Sequence, residues 1–377
     1  MKRLLRFLIG GAVVFGVALV LFAFALSYES ACPTGASAPP PEGMARMRAV
    51  QQHCYGGPET LRLEEMAKPV PSAHELLVAV HVASVNPLDW HYLRGQPFVM
   101  RLSSGMGAPN GASFGVDFAG VVEAVGDSVT GFAPGDSVFG SHFGAFAEYL
   151  TVGDADGVAH MAHGGSFDDF ATLGVAATTA LQAVRDRGQV TQGQRVLVNG
   201  ASGGVGTFAV QVAKWRGAHV TGVASARNLE LLQTLGADAT VDYTASDFTR
   251  DTARFDVIID MVGNHAPSAL RRVLRPGGRV VLVGGPELDR WLGPVRTMAA
   301  YTAYDRFVPE SFAGMLATTT QADLTTLAGL VSNGTLRPVI DRRFTLDQVR
   351  EAVAYQENGR SRGKNLLVIR ETAAGRP

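Results

Sequence analysis

One stretch constrains the fold of this chain more than any other, Asn199-Gly-Ala-Ser-Gly-Gly-Val-Gly206. It follows a short apolar run, Arg195-Val-Leu-Val-Asn199, and opens a helical pattern from Thr207 to Arg216. Glycines at such a junction allow a tight turn, let backbone N–H groups approach a pyrophosphate, and let the helix pack closely on the strand. The register is Ala201-x-Gly203-x-x-Gly206, with alanine where the first glycine of a dinucleotide fingerprint usually stands. Ala201, Ser202, Gly203, Gly204, Val205 and Gly206 are therefore candidate phosphate-binding residues. Further apolar runs at His219, Asp256 and Arg279 alternate with helical patterns, which reads as βαβ units building a parallel sheet.

The next strand bears on which dinucleotide fits. A site for NADH needs an acid about 20 residues on, to bind the ribose 2′-hydroxyl. No Asp or Glu occurs from Thr207 to Leu229. Ser225 and Arg227 stand there instead, a hydroxyl and a guanidinium suited to a 2′-phosphate, so the expected cofactor is NADPH.

Upstream, from Met47 to Gly140, the chain is β-rich, with Gly-Asp and Pro-Gly pairs as punctuation. The expected organisation is a membrane anchor at 1–30, a Pro-rich linker at 31–46, a β-rich catalytic domain at 47–166, the dinucleotide domain at 167–305, and a return to the catalytic domain at 306–377. A formal net charge of -1 argues against a nucleic-acid binder, which would need a basic face. Two cysteines, Cys32 and Cys54, cannot build a disulfide framework or a four-cysteine zinc lobe, and Cys32 reads as a linker residue.

Phe7 to Leu26 carries no charge and is long enough to cross a bilayer as a helix. Lys2, Arg3 and Arg6 precede it, and the expectation is a single-pass N-terminal anchor that makes the membrane a partner. A cleaved signal is the alternative, with Ala23-Phe24-Ala25 as its cleavage site. The charge rule puts the globular part outside the cytoplasm, while NADPH is a cytoplasmic reductant, and a start at Met44 or Met47 would omit the segment. The side of the membrane therefore stays open.

Gly115-Val-Asp-Phe-Ala-Gly-Val-Val-Glu-Ala-Val-Gly, Phe132-Ala-Pro-Gly-Asp-Ser-Val-Phe-Gly, Ala83-Ser-Val-Asn-Pro-Leu-Asp-Trp, Gly144-Ala-Phe-Ala-Glu-Tyr and Arg362-Gly-Lys occur alongside the glycine-rich turn. Together they resemble the medium-chain dehydrogenase/reductase superfamily, most of all its zinc-free quinone oxidoreductase (zeta-crystallin-like) branch, over residues 47 to 371. The resemblance implies an α/β fold with a GroES-like β-rich catalytic domain and a Rossmann doubly wound parallel sheet, here preceded by one transmembrane helix. It also implies a homodimer. By family position Asn86 and Asp89 face the cleft, Thr179 contacts nicotinamide and Tyr243 lies beside the 2′-phosphate end. Val262, Gly263, Val283 and Gly284 would offer backbone to the ribose and nicotinamide, and Lys364 would close the cofactor cleft.

Zinc-dependent relatives carry Gly-His-Glu where this chain reads Gly115-Val116-Asp117, and valine cannot bind metal. No metal is expected. Oxidising an alcohol needs an acidified hydroxyl, which zinc normally supplies, whereas a conjugated enone or quinone spreads the incoming charge onto a remote oxygen. The expected reaction is hydride transfer from NADPH to a small hydrophobic quinone or α,β-unsaturated carbonyl. A metal-free alcohol dehydrogenase or aldehyde reductase, and a non-catalytic NADPH-binding sensor tethered at the membrane, are the rival readings. His91 stands where related reductases carry tyrosine, so His91, Tyr92 or solvent could supply the proton. The stretch from Arg290 to Phe312 could cover an acceptor, touch lipid, or pack on the body.

Overall fold

The computed structural model describes residues 2–35, 39–286 and 289–371, with side chains from Val14 onward. The strand Arg195–Asn199 is apolar at consecutive positions because both faces of its sheet are covered. Val196 and Val198 enter one core with Phe208 and Val212 of the helix Gly204–Trp215, while Leu197 enters another with Tyr301 and Phe312. Each such buried side chain contributes about 1.5–3 kcal/mol. The sheet has six strands, all parallel, in the order Ala239–Asp242, His219–Ala224, Arg195–Asn199, Phe255–Asp260, Leu274–Leu282, Ser311–Gly314. Its last strand thus lies beyond residue 305. The order reverses at Arg195–Asn199, which puts the glycine-rich turn at the switch point where ligands of such sheets bind.

The second sheet has seven strands around an eleven-residue spine, Glu75–Val85. Asp117–Val125 and Tyr149–Gly153 pair with it antiparallel, and so does Lys364–Val368 from the far end of the chain. That last pairing returns the chain to the β-rich unit after the six-stranded sheet is complete. The segment Asp289–Gly293 docks on this unit: the Phe98 and Val99 N–H groups donate to the Arg290 and Trp291 carbonyls, and Trp291 sits edge-on to Phe98 at 5.1 Å. Among the readings open for Arg290 to Phe312, these contacts are packing on the body.

The N-terminal segment departs from its expectation. A helix spans Lys2–Ser27, and the side chains of residues 1–13, where much of the expected anchor falls, lie outside those described. Among the described residues no helix is long and apolar enough to cross a membrane, so the transmembrane helix, the single-pass membrane localisation and the membrane as partner are corrected. Its end folds onto the β-rich unit: Leu26 is buried, and Arg101 donates to the Leu26 and Tyr28 carbonyls at 3.1 Å each and to Glu29 at 2.7 Å. Cys32 is not a free linker residue either. It is bonded to Cys54, with Cα atoms 5.1 Å apart, which staples the segment to the body. Cysteine count excludes a framework; it says nothing against one bridge.

Candidate active site

The glycine-rich turn is built as its chemistry requires. Gly200 has φ +81°, and a Cβ at Gly206 would run into the Gly200 carbonyl oxygen, so the helix could not approach the strand this closely with any larger residue. Ala201 is buried beneath the turn. The N-terminus of the helix Gly204–Trp215 opens into a cleft of about 630 Å³ lined by Ser202, Gly203, Gly204, Val205, Gly206 and, from the other unit, Pro87. Backbone N–H groups at a helix N-terminus suit a pyrophosphate, and the volume suits a dinucleotide.

Two buried polar residues hold this cleft in shape, and sequence reasoning assigned neither a role. Asp260 accepts from Asn199 Nδ2 at 2.8 Å and from the Val262 and Gly263 N–H groups at 3.0 and 2.9 Å, which sets the loop after its strand. Asn228 donates to Ser202 Oγ at 3.0 Å and to Ser225 Oγ at 3.4 Å, tying the turn to the end of the neighbouring strand. Val262 lines the cleft; Gly284 lies against the Met261 carbonyl, where a Cβ would not fit, and Val283 donates its N–H to the Asp260 carbonyl at 2.8 Å. Tyr243 is exposed at the cleft's rim. Arg227 is exposed too, its Nη2 donating to the Arg360 carbonyl at 3.1 Å.

Asn86 follows the spine strand in extended conformation and caps the helix Pro87–Arg94. Proline at the first helical position lacks an N–H, and Asp89 reaches back so that its Oδ2 accepts the Asn86 N–H at 2.7 Å. The Asn86 amide turns inward and donates to Asp117 Oδ2 at 2.9 Å. Asp117 further accepts from Ser84 Oγ at 3.1 Å and from the Val175 N–H at 2.9 Å. Lys364 completes the group: it donates to Asn86 Oδ1, and its ammonium lies 3.6 Å from Asp117. Ser84, Asn86, Asp89, Asp117 and Lys364 are each at most 2% exposed. Burial pulls the Lys364 ammonium below its ordinary pKa, and burial also raises Asp117, against the opposing pull of Lys364.

Lys364 was expected to close the cofactor cleft. Its stem lies against Gly204 and the Gly363 N–H donates to the Ser202 carbonyl at 3.0 Å, but its ammonium points into the β-rich unit. Thr179 is nearly buried, and its hydroxyl donates to the Val175 carbonyl at 2.6 Å, one turn back on its helix. His91 and Tyr92 diverge. The His91 ring stacks on Trp90 at 3.7 Å, holds Nδ1 2.8 Å from the Gln96 carbonyl, and lines a pocket of about 360 Å³ with Arg94, Pro97 and Glu357. Tyr92 lines a separate cavity, shared with Asp89 and Phe143. Asp117 is the hub that sequence reasoning missed; its place in a motif otherwise read for zinc was the available signal.

Comparison with known proteins agrees with this architecture. Residues 72–181 match the alcohol dehydrogenase GroES-like domain, and residues 235–367 match the zinc-binding dehydrogenase family. Quinone oxidoreductase from Mus musculus is 32% identical over 349 residues, covering 87% of this chain and 99% of its own. A 2-methylene-furan-3-one reductase from Solanum lycopersicum is 32% identical, covering 94% and 86%. Among solved structures, a quinone oxidoreductase from Coxiella burnetii superposes with a TM-score of 0.76 at 30% identity, covering 86% of this chain and 100% of that one.

The second matching family is described by zinc, and the donor set here does not fit that ion. Both cysteine sulfurs of the chain are spent in the Cys32–Cys54 bridge, and Val116 presents buried hydrocarbon. His160, half of an H-x-x-H, is turned to the Gly131 carbonyl at 2.8 Å and stacks on Phe132. Among the described residues no three of His, Cys, Asp and Glu converge on a point.

Proposed function

This chain belongs to the medium-chain dehydrogenase/reductase superfamily, in its quinone oxidoreductase branch, and from that premise we propose a metal-free reductase that passes hydride from NADPH to a quinone or α,β-unsaturated carbonyl. As an NAD(P)H-dependent oxidoreductase it needs a dinucleotide and an acceptor brought to one place. The observation that carries the reading is the shared cleft: Pro87, first residue of the helix behind Asn86, lines the same cavity as Ser202 to Gly206. Bound there, the nicotinamide supplies the hydride.

The chain's own groups position and select. The turn from Ala201 to Gly206 cradles the diphosphate with backbone N–H groups. Ser225, Arg227 and Tyr243 meet the 2′-phosphate, and the absence of any acid from Thr207 to Leu229 removes the usual partner of a free 2′-hydroxyl. Thr179 and the backbone at Val262, Gly263, Val283 and Gly284 border the ribose and nicotinamide. Asn86, Asp89 and Tyr92 border the acceptor.

Valine at 116 supports conjugated acceptors over alcohols. With no Lewis acid to acidify a hydroxyl, the accessible reaction is one in which the acceptor spreads its own developing charge. The test is acceptor choice. The purified chain is expected to oxidise NADPH rapidly with 1,4-benzoquinone and 2-cyclohexen-1-one and at most slowly with saturated aldehydes. Aldehyde reduction that outpaces both would support the aldehyde-reductase reading instead.

A further inference from the structure

Asp89 differs from Asn86, Asp117 and Lys364, the other members of its buried polar cluster, in having an oxygen to spare. Its Oδ2 is engaged by the Asn86 N–H at 2.7 Å, while its Oδ1 is buried with no hydrogen-bond partner among the described residues. The charges around it explain how such a group persists. Two buried carboxylates, Asp89 and Asp117, share one ammonium, Lys364, and that ammonium contacts Asp117. Asp117 also holds three hydrogen-bond donors, so it is the group satisfied as an anion. Asp89 has one donor and, among the described residues, no contacting cation. A buried carboxyl in that position keeps its proton, because ionising it would leave an uncompensated charge in a low dielectric. Burial and the neighbouring Asp117 together push its pKa up to about 8, against the pull of the Asn86 N–H and of Lys364.

Asp89 also lines a cavity of about 270 Å³ whose walls include the rings of Tyr55, Tyr92, Phe114 and Phe143. Tyr92 and Phe143 meet edge to face at 4.9 Å. Such a slot favours a flat conjugated ring. Its other polar groups are committed or weaker acids. Gln52 Nε2 donates to the Tyr92 and Leu93 carbonyls at 3.1 and 3.0 Å, and Tyr55 donates to the Gly105 carbonyl at 2.7 Å. Burial raises the Tyr92 phenol above its ordinary pKa. The remaining charged groups near the helix face elsewhere: Arg94 pairs with Glu357, Arg101 lies between the rings of Tyr55 and Phe98, and His91 opens on its own pocket.

We propose that Asp89, held as the neutral acid, is the catalytic proton donor to the carbonyl oxygen of an acceptor bound in this aromatic cavity. The proposal rests on the reading of the chain as a quinone or enone reductase. Hydride from the dinucleotide forms a new C–H bond on the acceptor, and the π electrons move to its carbonyl oxygen. The Asp89 O–H bond breaks, an O–H bond forms on that oxygen, and the carboxylate left behind takes a proton from water. The sum is one hydride and one proton added to the acceptor, giving a quinol or an enol that tautomerises to the saturated ketone.

Asp89→Asn separates this role from a structural one. The amide keeps an oxygen for the Asn86 N–H and can still donate into the cavity, but it has no transferable proton. In single-turnover oxidation of NADPH by 1,4-benzoquinone and 2-cyclohexen-1-one, the wild-type rate is expected to fall above about pH 8. D89N is expected to lose roughly 100-fold or more, the range of general-acid catalysis, and to lose the alkaline limb. NADPH binding, followed by fluorescence, should be unchanged, and H91F should keep the limb. Infrared difference spectra at pH 7 should show a protonated carboxyl band in the wild type that D89N lacks. An active wild type with D89N equal in rate and pH profile, or lacking no carboxyl band, overturns the proposal alone. A wild type that reduces neither acceptor overturns the functional reading and this proposal with it.

Discussion

Lys364 sets its ammonium 3.6 Å from the Asp117 carboxylate while its stem lies against Gly204 of the glycine-rich turn. One side chain therefore touches both halves of the site. Its charge is the only cationic one in contact with the two-carboxylate cluster among the described residues, so removing it leaves the buried Asp117 anion without compensation. Lys364→Met is expected to cost about 3–5 kcal/mol of unfolding free energy. Urea denaturation at pH 7 measures this; a loss under 1 kcal/mol would show that the cluster is neutral without the lysine.

The same cluster gives stability a pH dependence of defined sign. The folded-state pKa of Asp89 is about 8, and that of an unfolded aspartate is about 4. Between those values the unfolded chain has released a proton that the folded chain keeps, so the contribution of Asp89 to stability falls as pH rises. The slope is at most about 1.4 kcal/mol per pH unit. Denaturation curves from pH 5 to 8 should show a shallower decline in D89N than in the wild type.

Cofactor choice turns on Arg227. Arg227→Asp replaces the partner of a 2′-phosphate with a partner for a free hydroxyl, and kcat/KM should shift toward NADH by about tenfold or more. An NADPH/NADH ratio unchanged by the substitution would remove Arg227 from the site.

The Cys32–Cys54 bridge closes a loop with a sequence separation of 22, and losing it is expected to cost about 3 kcal/mol through loop-closure entropy. Thermal unfolding with and without a reductant should show the loss in the wild type and no further effect in Cys54→Ser. The bridge stands beside Gln52 and Tyr55, which line the aromatic cavity, so KM for the acceptor should rise in the same variant.

What could be read from residues alone was whatever rests on local pattern. The turn at Gly203 to Gly206 and the apolar runs at Arg195 and Asp256 announce a parallel sheet because glycine freedom and two-sided burial leave a signature within a few residues. The pairing of Asn86 with Asp117 and Lys364 does not, because it joins side chains separated by 31 and 278 residues. Hydrocarbon at Val116 drew attention to its motif, but whether the adjacent Asp117 was buried depended on strands far along the chain. The N-terminal segment failed differently. An uncharged run of residues reads the same whether it enters a bilayer or ends against Arg101, and only the contacts at Leu26, Tyr28 and Glu29 show where its end goes.

Transfer of label tests the central claim most directly. With NADPH deuterated on the hydride-donating face at C4 and 2-cyclohexen-1-one as acceptor, the purified chain should place one deuterium at the β-carbon of cyclohexanone, one for each NADPH consumed. Product without deuterium, or NADPH bound and never oxidised, would contradict the account.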